Sequence, residues 1–476
     1  MGKLGFDFSL ERETGWLFGS DVIALLSGLI GQAILFWALS GEDYGMFVIA
    51  MDTCFTVLVL LDSGLSARVT RDVGALGDLG GILVKRVVGI QLFLGVIFGT
   101  ITLILLMNYW TIPWQIGSIL IITGVATHVI SMTHRGALRS IGLAKYEAGS
   151  RIIERFGMTC GYATLAFFGV HEAEEYASVA GVFFLMGGFF SMYKWSKNKP
   201  TEIGTNELQW SIKDLIVPSL PFAAGFFLLT LNFRIPKLLL GYSTGFEEVG
   251  IFNVAMIGFS AALAVPNAIW QTAQPAFGKM NNQSDRGARS EIFSRSRRIA
   301  RFGLIIGLPT ALIAGKIGFP LLFVDSIPEE DFSIFGIFSI LMLGWSAILL
   351  TSPDWGRVMG SEKPIGYSLS VGLFVLIQVF GFVYFGLDYG VEESSICFSI
   401  GAMSSSAVYL ICTAISDGLH EFSIGILEFS IGILYAILAI WSMGGGNIVS
   451  IVSCIVIMFL WAVLSEVMSK PQVLNS

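Results

Sequence analysis

Charged residues that interrupt long apolar runs are the ones whose types and spacing could do chemistry. They are Asp21, Asp52 and Asp62, then Arg234 and Lys237, then Lys316, and finally Asp354. A charge at the centre of a membrane helix costs about 2.5–3.5 kcal/mol on insertion scales, so it marks a candidate functional position. In Arg234-Ile-Pro236-Lys237 two cations lie three residues apart, on neighbouring faces of one helix. Arginine grips phosphate oxygens bidentately and lysine adds a point charge. Arg234, Lys237 and Lys316 are therefore the candidate binding residues for an anionic cargo. Arg234 and Lys316 each precede the outer end of their segment by a similar length, which puts both roughly 13 Å below it at 1.5 Å per residue. Snorkelling to the headgroups is the alternative, and it suits Lys237 best. Asp21, Asp52, Asp62, Arg68 and Arg71 are candidate cavity or coupling charges, with interfacial pairing as the competing reading. Asp354 and Arg357 have that same interfacial reading.

Other chemistry is missing from the chain. There is no P-loop, no G-x-G-x-x-G after a strand and no H-E-x-x-H. His128, His134, His171 and His420 do not cluster. Cys54, Cys160, Cys397, Cys412 and Cys454 lie in apolar runs without a CxxC pair, as small core residues do. No catalytic residue, metal site, cofactor or nucleic-acid partner is expected. The external connections are too short to hold a sugar-donor site, which argues against a membrane enzyme of glycan assembly. Without a P-loop, transport would be driven by an ion gradient, by substrate flux, or not at all.

The elements that must position these charges are membrane helices. The 476 residues are 54% hydrophobic and 13% charged, about half the charge of an ordinary soluble domain. The chain therefore reads as an all-α, multi-pass membrane protein. With about 20 apolar residues per span, the candidates are 16–39, 45–67, 87–107, 112–134, 149–170, 174–194, 213–241, 249–275, 301–324, 332–352, 364–387, 392–415, 422–442 and 446–467. That makes fourteen, or twelve if the last two segments are misread. The polar, basic stretch 276–300 reads as the one long connection. Residues 1–15 lack the pattern of a removable leader.

All 28 lysines and arginines except Arg234, Lys237 and Lys316 fall on one set of connections and on the ends. The alternate connections carry Glu42-Asp43, Glu172 with Glu174-Glu175, Glu247-Glu248, Glu329 to Asp331, and Glu392-Glu393. The positive-inside rule then puts both ends in the cytoplasm. Prolines concentrate between Pro200 and Pro364, which suggests that a bending gate lies in the second half.

Residues 41–51, GEDYGMFVIAM, recur as 246–256, FEEVGIFNVAM. Gly45 falls on Gly250, and Glu42-Asp43 on Glu247-Glu248. The pattern R-x-x-G-x-x-K also occurs twice, at Arg139, Gly142, Lys145 and at Arg357, Gly360, Lys363. Both echoes fit an internal duplication of about 200 residues, as in many transporters. The expected division is residues 1–200 as an N-terminal lobe of six helices, 201–416 as a C-terminal lobe of six, and 417–476 as two extra helices with a tail.

The acidic turn with Tyr44, Gly45 and Phe47, the run Asp62-x-Gly64-Leu65, the basic Arg68 and Arg71, and the R-x-x-G-x-x-K repeats together resemble the polysaccharide exporter branch of the multidrug/oligosaccharidyl-lipid/polysaccharide (MOP) transporter superfamily. The resemblance covers the first twelve segments in layout. It implies two six-helix lobes around a central cavity. It also implies that the chain is a flippase moving a polyprenyl-(pyro)phosphate-linked oligosaccharide across the cytoplasmic membrane by alternating access. Lipid-linked oligosaccharide, membrane lipids and glycosyltransferases of the same pathway are the implied partners. Many relatives carry an acidic residue before the L-L-L-G that ends the seventh helix. Here Arg234 and Lys237 stand there, which favours an anionic cargo. A cation-coupled multidrug antiporter of the same superfamily is the alternative.

Overall fold

The computed structural model describes residues 10–62, 64–76, 79–199, 220–280, 286–323, 334–359, 365–444 and 461. Among them the protein is all helix. The helices are α1 (Leu10–Ala38), α2 (Gly41–Leu58), α3 (Leu65–Leu76), α4 (Gly80–Ile104), α5 (Ile116–Ser140), α6 (Ala144–Phe167), α7 (Ala173–Asn198) and α8 (Leu220–Ser243). There follow α9 (Phe246–Ala262), α10 (Ala264–Met280), α11 (Arg286–Phe323), α12 (Ile334–Leu350), α13 (Ser352–Met359), α14 (Ile365–Phe385), α15 (Val391–Asp417) and α16 (Leu419–Met443). One compact unit comprises the residues up to Gly241 with Gly245–Gly250. A second comprises Tyr242–Thr244 and the residues from Ile251 onward.

Ten helices among the described residues are long and apolar enough to cross a membrane. The bent pair α12 and α13, 52° apart, is an eleventh candidate. The remaining expected segments have identifiable fates. The segment 149–170 lies in α6, whose first half carries Lys145, Glu147, Arg151, Glu154 and Arg155. The start of 213–241 and nearly all of 446–467 lie outside the described residues.

The acidic doublets are helix starts. Glu42-Asp43, Glu174-Glu175, Glu247-Glu248 and Glu392-Glu393 occupy the first turns of α2, α7, α9 and α15. There they face the unsatisfied backbone N–H groups and the positive end of the helix dipole. The Asp43 N–H donates to Ser40 Oγ at 3.1 Å, an N-cap. Glu174 reaches across instead, and its Oε1 accepts from the N–H groups of Ile116 and Gly117 at the start of α5.

Apolar runs that read as single spans break in three places. The run 45–67 ends its helix in a 3-10 turn at Val59–Leu61, and Gly64 takes a φ of 71°. Asp62 Oδ1 then accepts from the Ser66 N–H at 3.0 Å and starts α3. That short helix packs Leu65, Val69 and Val73 on Leu83, Val84, Val87, Ala137, Leu138 and Trp195. The run 249–275 breaks between Ala262 and Ala264 because Pro266 has no N–H for the Ala262 carbonyl. Trp345 Nε1 satisfies that carbonyl at 2.8 Å. The run 332–352 ends at the bend before α13, with Pro353 in that helix's first turn. The basic stretch 276–300, expected as a connection, is instead helical from Arg286 and continues into the next span. Together they make α11, 38 residues long and roughly 57 Å at 1.5 Å per residue.

The two copies of the repeated acidic motif touch each other. A Cβ on Gly45 would lie 1.7 Å from the Phe246 carbonyl oxygen, and a Cβ on Gly250 would lie 3.0 Å from the Tyr44 ring and 3.3 Å from the Gly41 carbonyl oxygen. Glycine at both positions lets backbone approach backbone. In the R-x-x-G-x-x-K turn, Gly142 has a φ of 76° and Arg139 bonds Glu147. In the second copy, Gly360 and Lys363 lie outside the described residues.

Candidate anion site in the first compact unit

Asp52 stands near the middle of the span Gly41–Leu61. It is 5% exposed. Arg234 Nη1 donates to its Oδ1 at 2.5 Å, and Lys237 Nζ lies 2.5 Å from its Oδ2. The i, i+3 spacing on α8 is what closes both cations on one carboxylate. Arg234 also lies over the ring of Phe55, one turn along α2 from Asp52, at 4.7 Å, a cation–π contact.

Phe55 joins this triad to a second buried charge group. Its ring meets His128 and Phe184 edge-on at 5.8 and 5.6 Å. His128 Nδ1 lies 3.0 Å from Glu154 Oε2, and Arg135 bonds the other oxygen of Glu154. Arg135 Nε donates to Ser150 Oγ at 3.1 Å, and Ser150 passes a bond to the Gly187 carbonyl at 2.7 Å. Arg155 lies over the far ring, Phe184, at 5.9 Å. Gly187 makes room for Glu154, whose Cγ would be 2.3 Å from any Cβ there. Four basic side chains, Arg135, Arg155, Arg234 and Lys237, thus stand with two carboxylates, Asp52 and Glu154. A net positive group inside an apolar unit is suited to a multivalent anion.

The other residues singled out in the sequence lie elsewhere. Lys316 is exposed, belongs to the second unit, and donates to the Met443 carbonyl at 2.6 Å. It thereby caps the C-terminus of α16. Asp21 is exposed and bonds Arg151, which also holds Glu147. Asp62 caps α3, and Arg68 pairs with Asp72 at 3.3 Å within that helix. Arg71 lies on α3, and its side chain is outside the described residues. In the second unit Arg297 bonds Glu421 and Asp354, and Arg301 approaches Glu428, joining α11 to α13 and α16. Among the described residues, no cluster of His, Cys, Asp and Glu could hold a metal ion.

Glu154 and Arg155 were missed as site residues although both fall inside the expected span 149–170. Arg135 and Arg155 had been assigned to connections by the tally of basic residues. His128 gave no signal, because its partner is 26 positions away.

Residues 10–281 match the family model described as polysaccharide biosynthesis protein. No curated protein matches the chain. Among solved structures, the lipid II flippase MurJ in an inward closed conformation aligns with a TM-score of 0.64 at 11% identity, covering 95% of this chain and 98% of that one. An inward-facing multidrug-resistance MATE transporter of the MOP superfamily aligns at 0.63 and 16% identity, covering 85% and 95%. A MOP superfamily transporter from Pyrococcus furiosus, described as having a binding pocket of reverse polarity, aligns at 0.56 and 15%, covering 87% and 96%. The fold is that of MOP transporters.

Proposed function

For a chain that belongs to the polysaccharide biosynthesis protein family, we propose that it is a flippase for polyprenyl-(pyro)phosphate-linked oligosaccharide, working by alternating access across the cytoplasmic membrane. The observation that carries this reading is the pairing of Arg234 and Lys237 with one buried carboxylate, Asp52, inside a group with surplus positive charge. A diphosphate carries more charge and more acceptor oxygens than Asp52 does. It displaces Asp52 from the two cations, Arg234 gripping two oxygens and Lys237 a third. Asp52 acts meanwhile as the internal counter-ion that keeps both cations from standing unpaired in a dry interior, which would cost several kcal/mol per ion. No bond is made or broken in the cargo. The carrier's prenyl tail stays in apolar surroundings while the head crosses. Lobes at 1–200 and 201–416, helices 417–476 beyond them, cytoplasmic ends and pathway glycosyltransferases as neighbours belong to this same reading.

An exporter of cationic drugs would require surplus negative charge where this group is positive. The test is translocation in liposomes reconstituted with purified protein. Wild type is expected to move lipid-linked oligosaccharide, Arg234→Ala to lose this activity while remaining folded, and Arg234→Lys to keep part of it. Translocation unchanged in an Arg234→Ala, Lys237→Ala double variant would reject the site. Dye efflux without glycolipid movement would reject the cargo.

A further inference from the structure

The second compact unit holds an aromatic stack that the proposed transport does not yet use. Trp270 of α10 lies flat against Trp355 of α13, with ring centroids 4.9 Å apart and planes 23° apart. Tyr367 of α14 and Tyr409 of α15 are nearly parallel to Trp355, at 10° and 19°, with ring centroids 6.3 and 6.1 Å from it. Phe259 and Phe374 by contrast meet Phe398 edge-on, the other geometry that ring quadrupoles allow. Tyr367 and Tyr409 are buried, and Trp355 is half-buried. Trp270, at the end of the row, is half-buried as well.

Two polar groups accompany the rings. Trp270 Nε1 donates to Asn267 Oδ1 at 3.0 Å, which fixes the Asn267 amide beside the ring with its N–H donors turned elsewhere. Trp355 Nε1 is buried and meets no acceptor, and an unmet buried donor calls for an explanation. Trp270 is also the last residue of the apolar stretch Phe246–Trp270. Single tryptophans at the ends of such stretches commonly serve as anchors to lipid. An anchor has no use for a second indole lying flat against it and two further rings parallel to that one.

We propose that Trp270, backed by Trp355, is the platform on which a pyranose ring of the cargo stacks, with Asn267 as a hydroxyl partner. The weakly positive C–H face of a sugar matches the negative face of an indole. A plate held rigid from behind loses little freedom on binding. This deepens the flippase reading and rests on it.

The experiment compares two probes on the full-length protein in nanodiscs. One is lipid-linked oligosaccharide extracted from the producing cells, and the other is farnesyl diphosphate, which has no sugar. Trp270→Ala is expected to weaken glycolipid binding on the order of tenfold or more, the usual scale for losing one stacking ring. It should leave farnesyl diphosphate binding unchanged, and Trp270→Phe should retain most of the glycolipid affinity. Unaltered glycolipid affinity in Trp270→Ala, or a parallel loss of both probes, would overturn the platform. Wild-type protein that binds neither probe would overturn the flippase reading itself.

Discussion

At Asp52 one carboxylate serves two cations, so substitutions around it have opposite signs for folding and for binding. Asp52→Asn leaves Arg234 and Lys237 with no buried counter-charge and is expected to lower stability by about 3–5 kcal/mol, the scale for breaking a buried pair. The same change removes the competitor of an incoming anion, so surviving folded protein should bind farnesyl diphosphate several-fold more tightly. Thermal unfolding and a binding isotherm on the same nanodisc sample check both. Tighter binding without destabilisation would mean that the triad is more hydrated than its burial indicates. Lys316 gives a contrast. Its bond runs to the Met443 carbonyl, so Lys316→Ala should loosen the end of α16 by about 0.3–1 kcal/mol and leave translocation near wild type. A loss of translocation as large as that of Arg234→Ala would assign Lys316 to the cargo.

At the scale of the helices, the three breaks are the features most open to test. Trp345→Phe keeps an aromatic ring, a smaller one, and deletes the N–H that holds the Ala262 carbonyl. The orphaned carbonyl should cost about 1–3 kcal/mol, read as a lower unfolding temperature in detergent. No change would mean that water takes over the carbonyl. Hydropathy marked the spans well because it measures what hydrocarbon tolerates. It could not mark the breaks at Gly64, Pro266 and Pro353, because continuity of backbone hydrogen bonding is a separate property that an apolar side chain does not report. The helical character of 286–300 was missed for the converse reason. Its arginines show that the segment avoids hydrocarbon, and say nothing against a helix. The same division holds at the site. Arg234, Lys237 and Asp52 were legible because a charge in an apolar run is conspicuous. Their mutual pairing, and the link through Phe55 to His128 and Glu154, depend on α2, α5, α6 and α8 packing together, which no local spacing encodes.

At the scale of the whole chain, the distribution of charge makes a topological prediction. Single cysteines placed at 286–298 should label only from the cytoplasm, and those at 172–175 only from outside, in whole cells with an impermeant maleimide. Labelling of both sets from one side would refute the assigned sidedness. The contact between the two motif copies carries a further consequence. Position 41 corresponds to 246 and position 45 to 250, and the structure pairs Gly45 with the Phe246 carbonyl and Gly250 with the Gly41 carbonyl. Each residue thus meets the counterpart of its own partner. That reciprocity is the signature of an isologous interface, the kind two identical subunits make about a two-fold axis. It is the contact that the internal duplication expected from the sequence would produce. The two sides differ in degree: a Cβ on Gly45 would lie 1.7 Å from a carbonyl oxygen, while one on Gly250 would be tight at 3.0 Å from a ring and 3.3 Å from a carbonyl oxygen. Gly45→Ala should therefore disrupt this junction more severely than Gly250→Ala, an inequality that no single-copy homodimer could have displayed.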